Sequence, residues 1–226
     1  MTGSRRITIV CVVLCAVVMA TMSSCNILSP AAYLAMGQAK TPAQYVLEDR
    51  PTVVFVDDRN NAIPVNSTRV RGMIAERVNA ELMTHDLVTQ TISARDALAV
   101  ARNRDRDGKL MSMGAIGAMV GAEQIIYIEM LSFRGSPDNR TPRPAAACRV
   151  KVLDVVSKTR LFPLPDAESE WADAMTLTST VSPELYRNSQ GRRQIEEMLS
   201  LSLADQVAKL FYKHIPNELG SRLQAK

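Results

Sequence analysis

Histidine, cysteine and aromatic residues are all scarce in this chain of 226 residues. The only histidines, His85 and His214, stand at no ligand spacing from each other, from Cys148 or from a carboxylate cluster, which excludes a zinc site of the usual kind. Aromatics are 4% of the chain, too few for a base-stacking platform or a carbohydrate cleft. No glycine-rich phosphate loop and no neighbouring nucleophile–base pair occurs, so the reactions that announce themselves by a local motif are missing. No cofactor is implied. Internal repeats and low-complexity tracts are also absent. Of the four cysteines, Cys11 and Cys15 lie in an apolar run near the amino terminus, Cys25 follows that run, and Cys148 stands alone.

The amino-terminal run has an order of its own. Arg5 and Arg6 come first, residues 7–20 are apolar apart from Thr8, and Thr21, Met22, Ser23 and Ser24 lead to Cys25. A positive start, a short apolar stretch and a small-residue exit form a secretory signal. A spanning helix needs about 20 apolar residues, more than this run holds. Met22-Ser23-Ser24-Cys25 resembles the bacterial lipobox, in which the cysteine is diacylated at the cleavage point. The expected organisation is therefore a lipoprotein signal peptide over 1–24, a lipidated (palmitate-bearing) tether over 25–50, an αβ domain over 51–216 and a tail over 217–226. Two acyl chains anchor stably where one does not. The resemblance implies an exported protein held on a bacterial membrane and facing the periplasm. Asn26, where an aspartate would signal retention at the inner membrane, favours the outer one.

Removal of the signal takes away Cys11 and Cys15, and lipid occupies Cys25, so Cys148 has no disulfide partner within the chain. The fold must rest on an apolar core. Arg5 and Arg6 leave too, so 25 of the 27 basic residues face 23 acidic ones and the net charge is about +2, no case for nucleic acid.

Residues 52–56 (Thr-Val-Val-Phe-Val) read as a strand buried on both faces, ending at Asp57 and Asp58. Val70, Met73, Ile74, Val78 and Leu82 recur at helical spacing, with Arg71, Glu76 and Arg77 on the opposite face and Arg77 four residues before Glu81. A second strand is expected over 87–92. Ser93 and Asp96 resemble a capping box opening a short helix, and a small-residue helix over 112–120 stops at Gly121. Residues 125–131 read as a third strand. Cys148, Val150 and Val152 alternate with Arg149 and Lys151 as a strand with one wet face, and residues 160–162 form a short edge strand limited by Pro163 and Pro165. An extended piece over 175–181 precedes a long amphipathic carboxyl-terminal helix carrying Ile195, Leu199, Leu203 and Val207, with Asp205 and Lys209 paired on its wet face. The expected fold class is α/β, an α+β sandwich: a mixed sheet of about five strands with helices packed on it.

Two local texts sharpen that order. Val120-Gly121-Ala122-Glu123-Gln124-Ile125-Ile126-Tyr127 resembles the passage that ends a helix and enters a central strand in an envelope superfamily, and Val152-Leu153-Asp154-Val155-Val156-Ser157-Lys158-Thr159 resembles its hairpin. That superfamily includes the amino-terminal domain of TolB, the curli secretion lipoprotein and the activator lipoproteins of penicillin-binding proteins. The resemblance covers roughly residues 52–214. It implies an αβ sandwich and protein-binding roles at the envelope, and implies no reaction.

The remaining candidates are weak. Asn103, Asp105 and Asp107 with Gly108 suggest a calcium loop, but the twelfth position is Gly114 where a bidentate glutamate is needed, so no metal is expected. Asp57 and Asp58 at a strand exit could serve as a carboxylate pair. Cys148 falls on an apolar phase, as a buried, inert thiol would. Gly114, Gly117 and Gly121 put a small face on one helix, for close packing on the sheet. Arg102, Arg104, Arg106 and Lys109, with Arg140 and Arg143 in the loop beyond the third strand, are the candidate interaction residues. Three functions follow in order of preference. The first is a membrane-anchored module that binds or scaffolds another envelope protein. The second is a subunit of a secretion or assembly complex, for which residues 171–181 are the one free strand candidate. The third is an envelope hydrolase. A homo-oligomer stays among the partners.

Replacing Cys25 with alanine should abolish incorporation of labelled fatty acid and release the protein from the membrane fraction; unchanged labelling would show that the lipid is elsewhere or absent.

Overall fold

The computed structural model describes residues 40–64, 69–104, 111–134, 144–164, 174–181 and 192–216. Residues 1–39, which include the expected signal, Cys25 and most of the expected tether, lie outside them, as do Arg106, Lys109, Arg140, Arg143, residues 217–226 and the side chain of Arg104. The unit that holds the sheet begins at Pro42.

Among the described residues, six strands form one mixed sheet. The apolar run becomes β1 (Thr52–Asp57), and all six of its residues are buried. It is parallel to β2 (Thr91–Ile92) on one side and to β3 (Gln124–Arg134) on the other. β3 runs antiparallel to β4 (Ala145–Asp154), which carries β5 (Arg160–Phe162) on its carboxyl half and β6 (Met175–Thr180) on its amino half. The order β2-β1-β3-β4-β5 places β3 inside the sheet and β5 at an edge, as expected. The segment 175–180 is therefore spent on pairing with β4.

Helices cover both faces. α1 (Arg69–Thr84) and α4 (Arg192–Ala208) pack on Val54, Val56, Ile126, Ile128, Cys148 and Val150. α2 (Ala94–Arg104) and α3 (Met113–Val120) pack on Val53, Phe55, Ile125 and Val155. Alternate side chains of β1 thus enter different cores, which is why its sequence is apolar throughout. Ser93 Oγ accepts from the Asp96 amide at the start of α2, and Ser112 Oγ from the Ala115 amide at the start of α3.

The second strand is shorter than its text. Asp86 takes φ 51°, its amide donates to the Met83 carbonyl, and the Leu87 amide donates to the Leu82 carbonyl. That is the Schellman ending of a helix, with aspartate in the left-handed position usually given to glycine. Leu87 and Val88 belong to the core beneath this cap, leaving two residues to pair as β2. α3 ends in the same way through Gly121 at φ 75°, with amides of Gly121 and Ala122 reaching the Ala118 and Gly117 carbonyls.

Two further expectations change. Residues 42–50, read as the end of the tether, are docked on the domain. The Gln44 and Tyr45 amides donate to the Leu210 carbonyl at 2.7 and 3.1 Å, Leu47 is buried, and Arg50 Nη1 donates to Asp154 Oδ2 at 2.8 Å. Arg77 and Glu81 pair as their spacing implied, Nη2 lying 2.6 Å from the carboxylate, but Glu81 is also buried. Asp205 pairs with Arg77 Nε at 2.7 Å, tying α4 to α1, where sequence spacing had matched it to Lys209. In both cases the wheel of one helix could not show the neighbouring helix.

At the β4–β5 turn, Lys158 adopts φ 57° where a glycine would be at ease. Asp154 Oδ1 accepts the Ser157 amide at 2.7 Å and closes the turn. The Arg50 hydrogen bond, ahead of the Ser157 amide, holds the Asp154 carboxyl at about 2, below its ordinary value. A carboxylate depressed in the folded state adds stability that is present above the unfolded value and is lost as pH falls through the folded one. Asp154→Asn should therefore cost about 1–2 kcal/mol at neutral pH and flatten the loss of stability between about pH 4 and pH 2; urea unfolding across that window measures it, and an unchanged profile would dismiss the clamp.

A Cβ on Gly117 would lie 2.6 Å from Val155 Cγ2 and 2.8 Å from Ile125 Cδ1, whereas one on Gly72 would meet nothing within 4 Å. Gly117→Ala should lose about 1–2 kcal/mol because crowding outweighs the gain in helix propensity. Gly72→Ala should gain about 0.5–1 kcal/mol. Denaturation midpoints that shift the same way in both variants would mean that α3 is not pressed on the sheet.

Candidate functional site

The candidate site lies at the carboxyl end of β1. From there the chain crosses by α1 to β2 on one side, then by α2 and α3 to β3 on the other. Strand ends at such a reversal border a crevice in open αβ sheets.

The two aspartates at this end do different things. Asp57 is buried, accepts the Tyr127 hydroxyl at 2.6 Å and pairs with Arg59 Nε at 2.9 Å. Asp58 turns aside, and its Oδ1 accepts the amides of Ala62 and Ile63 at 2.7 and 3.1 Å, building the turn that carries buried Ile63. They do not form a shared carboxylate pair. Burial, with the Asp57 hydrogen bond second, pushes the Tyr127 phenol well above its ordinary value, so it stays a donor. Its ring lies nearly parallel to Phe55, with centroids 6.4 Å apart. Asn60 and Arg149 reach Glu129 beside them, at 3.3 and 3.6 Å.

Because β2 ends at Ile92, the outer edge of β1 has no strand beyond Val53 among the described residues. Arg71 fills part of this place: its Nε donates to the Val56 carbonyl at 3.0 Å. The rest of its guanidinium borders two hollows. One, of about 170 Å3, lies over Phe55, Asp57 and Ile116; the other is an open groove of about 740 Å3 between α1 and α2. Arg71, Leu98 and Arg102 belong to both. Burial lowers the Arg71 pKa, opposed by Asp57 and reinforced by Arg102.

α1 descends from the carboxyl end of β1, and α2 climbs back alongside it. Arg69, Arg71 and Arg102 therefore gather at one end of the groove. Glu76, Asn79, Arg95 and Asp96 line its other end, with Gly72, Met73 and Leu98 among the walls. None of Arg69, Arg71 and Arg102 makes an ion pair with a described carboxylate. Of the interaction residues expected from sequence, the structure places Arg102 here. Sequence reasoning missed Arg69 and Arg71, having assigned Arg71 to a solvated face. The available signal was a helix whose first turn holds two arginines and no acid.

The two histidines come together at the far ends of α1 and α4. His85 stacks on Tyr212 with centroids 3.7 Å apart, Tyr212 meets His214 edge-on at 6.0 Å, and the Tyr212 hydroxyl donates to Glu81 Oε2 at 3.4 Å. This is a clasp between helix ends. Among the described residues, no group of three or more His, Cys, Asp or Glu side chains could hold a metal ion. Cys148 is fully buried, and burial pushes its thiol up to about 12. It has the inert setting expected of it.

No family model matches the chain, and no curated protein matches it. Solved structures with a similar arrangement include a hypothetical protein from Chlamydia trachomatis, 14% identical over 77% of this chain and 96% of that one, with a TM-score of 0.39. A PelC dodecamer from Paraburkholderia phytofirmans is 15% identical over 78% and 96%, with a TM-score of 0.40. A lipoprotein from Neisseria meningitidis is 13% identical over 70% and 94%, with a TM-score of 0.35. Likeness at this level assigns neither a family nor a role.

Proposed function

We propose that this chain is a lipid-anchored protein of the bacterial envelope whose αβ domain binds another envelope protein along the groove between α1 and α2. The observation that carries the reading is the groove itself: an open trough of about 740 Å3, walled by side chains of two helices and basic at one end. A trough running along two neighbouring helices is the kind of groove in which an amphipathic segment of another chain lays its apolar face.

Binding without turnover is supported by how the reactive groups are used. Asp57 is held by Tyr127 and Arg59, Asp58 is spent on a turn, and Cys148 is sealed in the core. Acid–base and nucleophilic catalysis need partners within hydrogen-bond reach of a reacting atom, and these groups face their own scaffold. The amino-terminal signal and Cys25 support export and anchoring, with the outer membrane preferred. The two texts around Gly121 and Asp154 support kinship with the envelope superfamily. A tether raises the effective concentration of a weak binder beside a partner at the same membrane.

A photoreactive residue in place of exposed Ala99, on the groove, should capture a defined partner in cells; the same residue in place of exposed Thr178, on β6, should not. Equal capture at both places, or none at Ala99, would count against the groove. Turnover of an envelope substrate by the purified chain, stopped by Asp57→Asn without unfolding, would replace the binding reading with an enzymatic one.

A further inference from the structure

The charges of the groove specify the kind of segment it would take, an inference that rests on the docking reading above. Arg69 and Arg71 occupy the first turn of α1, and that turn holds no acidic residue. The amino end of a helix carries partial positive charge, so acids are favoured there and bases are not. Arg102, near the carboxyl end of α2, is favourably placed by the same rule. The antiparallel run of α1 and α2 nevertheless brings it to the other two.

Part of Arg71 has a structural reason. Its Nε closes the carbonyl of Val56 where β2 stops. A neutral donor would do that as well, and without a second cation at Arg69 beside it. Arg71 also feels the charges of Asp57 and Asp58 without an ion pair to either, and it lines the groove with Arg69 and Arg102, none of the three making an ion pair with a described carboxylate. Arginine presents several donors in a flat fork that suits carboxylates.

We propose that the groove between α1 and α2 accepts an acidic, amphipathic peptide segment of the partner protein, with its carboxylates at Arg69, Arg71 and Arg102 and its apolar side chains along Met73 and Leu98. The dimensions agree. The groove follows α1 from Arg69 to Asn79, about 15 Å at the rise of a helix. That length takes two to three turns of a helical peptide, the mode in which an amphipathic helix lays its apolar face between two others. A lone inorganic phosphate would leave most of the trough empty. At the opposite end Glu76 and Asp96 outweigh the single cation Arg95, which gives the site a direction, so the acidic part of the segment belongs at the end nearest Asp57.

The test uses the full chain purified in detergent and a fluorescent helical peptide of leucine and glutamate, with a leucine–lysine peptide of equal length for comparison. Anisotropy should show saturable binding of the acidic peptide that weakens as salt rises. Arg69→Glu combined with Arg102→Glu should weaken it about tenfold or more, while Lys213→Glu, on an exposed residue outside the groove, should leave it unchanged. Arg71 is left intact because its bond to Val56 supports β1. The inference is overturned if the wild type binds neither peptide, if it binds both equally, or if inorganic phosphate in millimolar excess displaces the acidic peptide completely. It is also overturned, with docking itself left standing, if the segment captured at Ala99 in cells carries no acidic residue. Peptide binding as expected together with no capture at Ala99 would support the groove's preference and count against the envelope-partner reading.

Discussion

The structure depends on the need to seal β1. All six of its residues are buried, so both faces need helices and both edges need hydrogen-bond partners. β3 supplies one edge along the full length of β1, but β2 supplies the other for two residues only. The remainder must be closed from the flanking helices. Arg71 does this at Val56, and a cation is thereby drawn into a half-buried place on an otherwise apolar element. The groove, its basic end and the lowered pKa of Arg71 all follow from a strand that is sealed by a side chain where another strand is missing.

Charge is sorted accordingly. Three structural carboxylates are satisfied within the fold: buried Asp57 by Tyr127 and Arg59, buried Glu81 by Arg77, and half-buried Asp154 by Arg50 and the Ser157 amide. Asp57 with Tyr127 and Asp154 with Arg50 join pieces distant in the chain, and a broken buried pair would leave a charge without compensation. The arginines of the groove are the other population. They stand near one another at a strand end and make no ion pair with the described acids, although Asp57 and Asp58 act on Arg71 through their charge. Structural ion pairs and an outward-facing basic site thus coexist at one end of β1, separated by the direction in which each side chain leaves its backbone.

Local chemistry made much of the fold legible. The β-branched run of β1, the alternation of β4, Ser93 and Ser112 at helix starts and Gly121 at a helix end all act over a few residues, and each forms as its residues imply. Gly117 is pressed between α3 and the sheet, as its small-residue neighbourhood suggested. β2 was misjudged because Leu87 and Val88 serve a helix cap, and an apolar pair looks the same in either role. The docking of residues 42–50 was missed because their partners, Leu210 and Asp154, lie more than a hundred residues away.

The site was less legible than the fold. Of the arginines singled out from sequence, Arg102 reaches the groove, while Arg69 and Arg71 were hidden by a helical wheel that assigns a face but not what the face meets. By itself the sequence determined the positions of the strand and helix cores and their caps, because these depend on spacing and on bonds within a few residues. Only the tertiary structure decided that the adjacent aspartates part company, that Asp205 serves α1, and that three arginines from two helices share one end of a groove. Those outcomes depend on which element ends up beside which, through contacts that no local pattern contains.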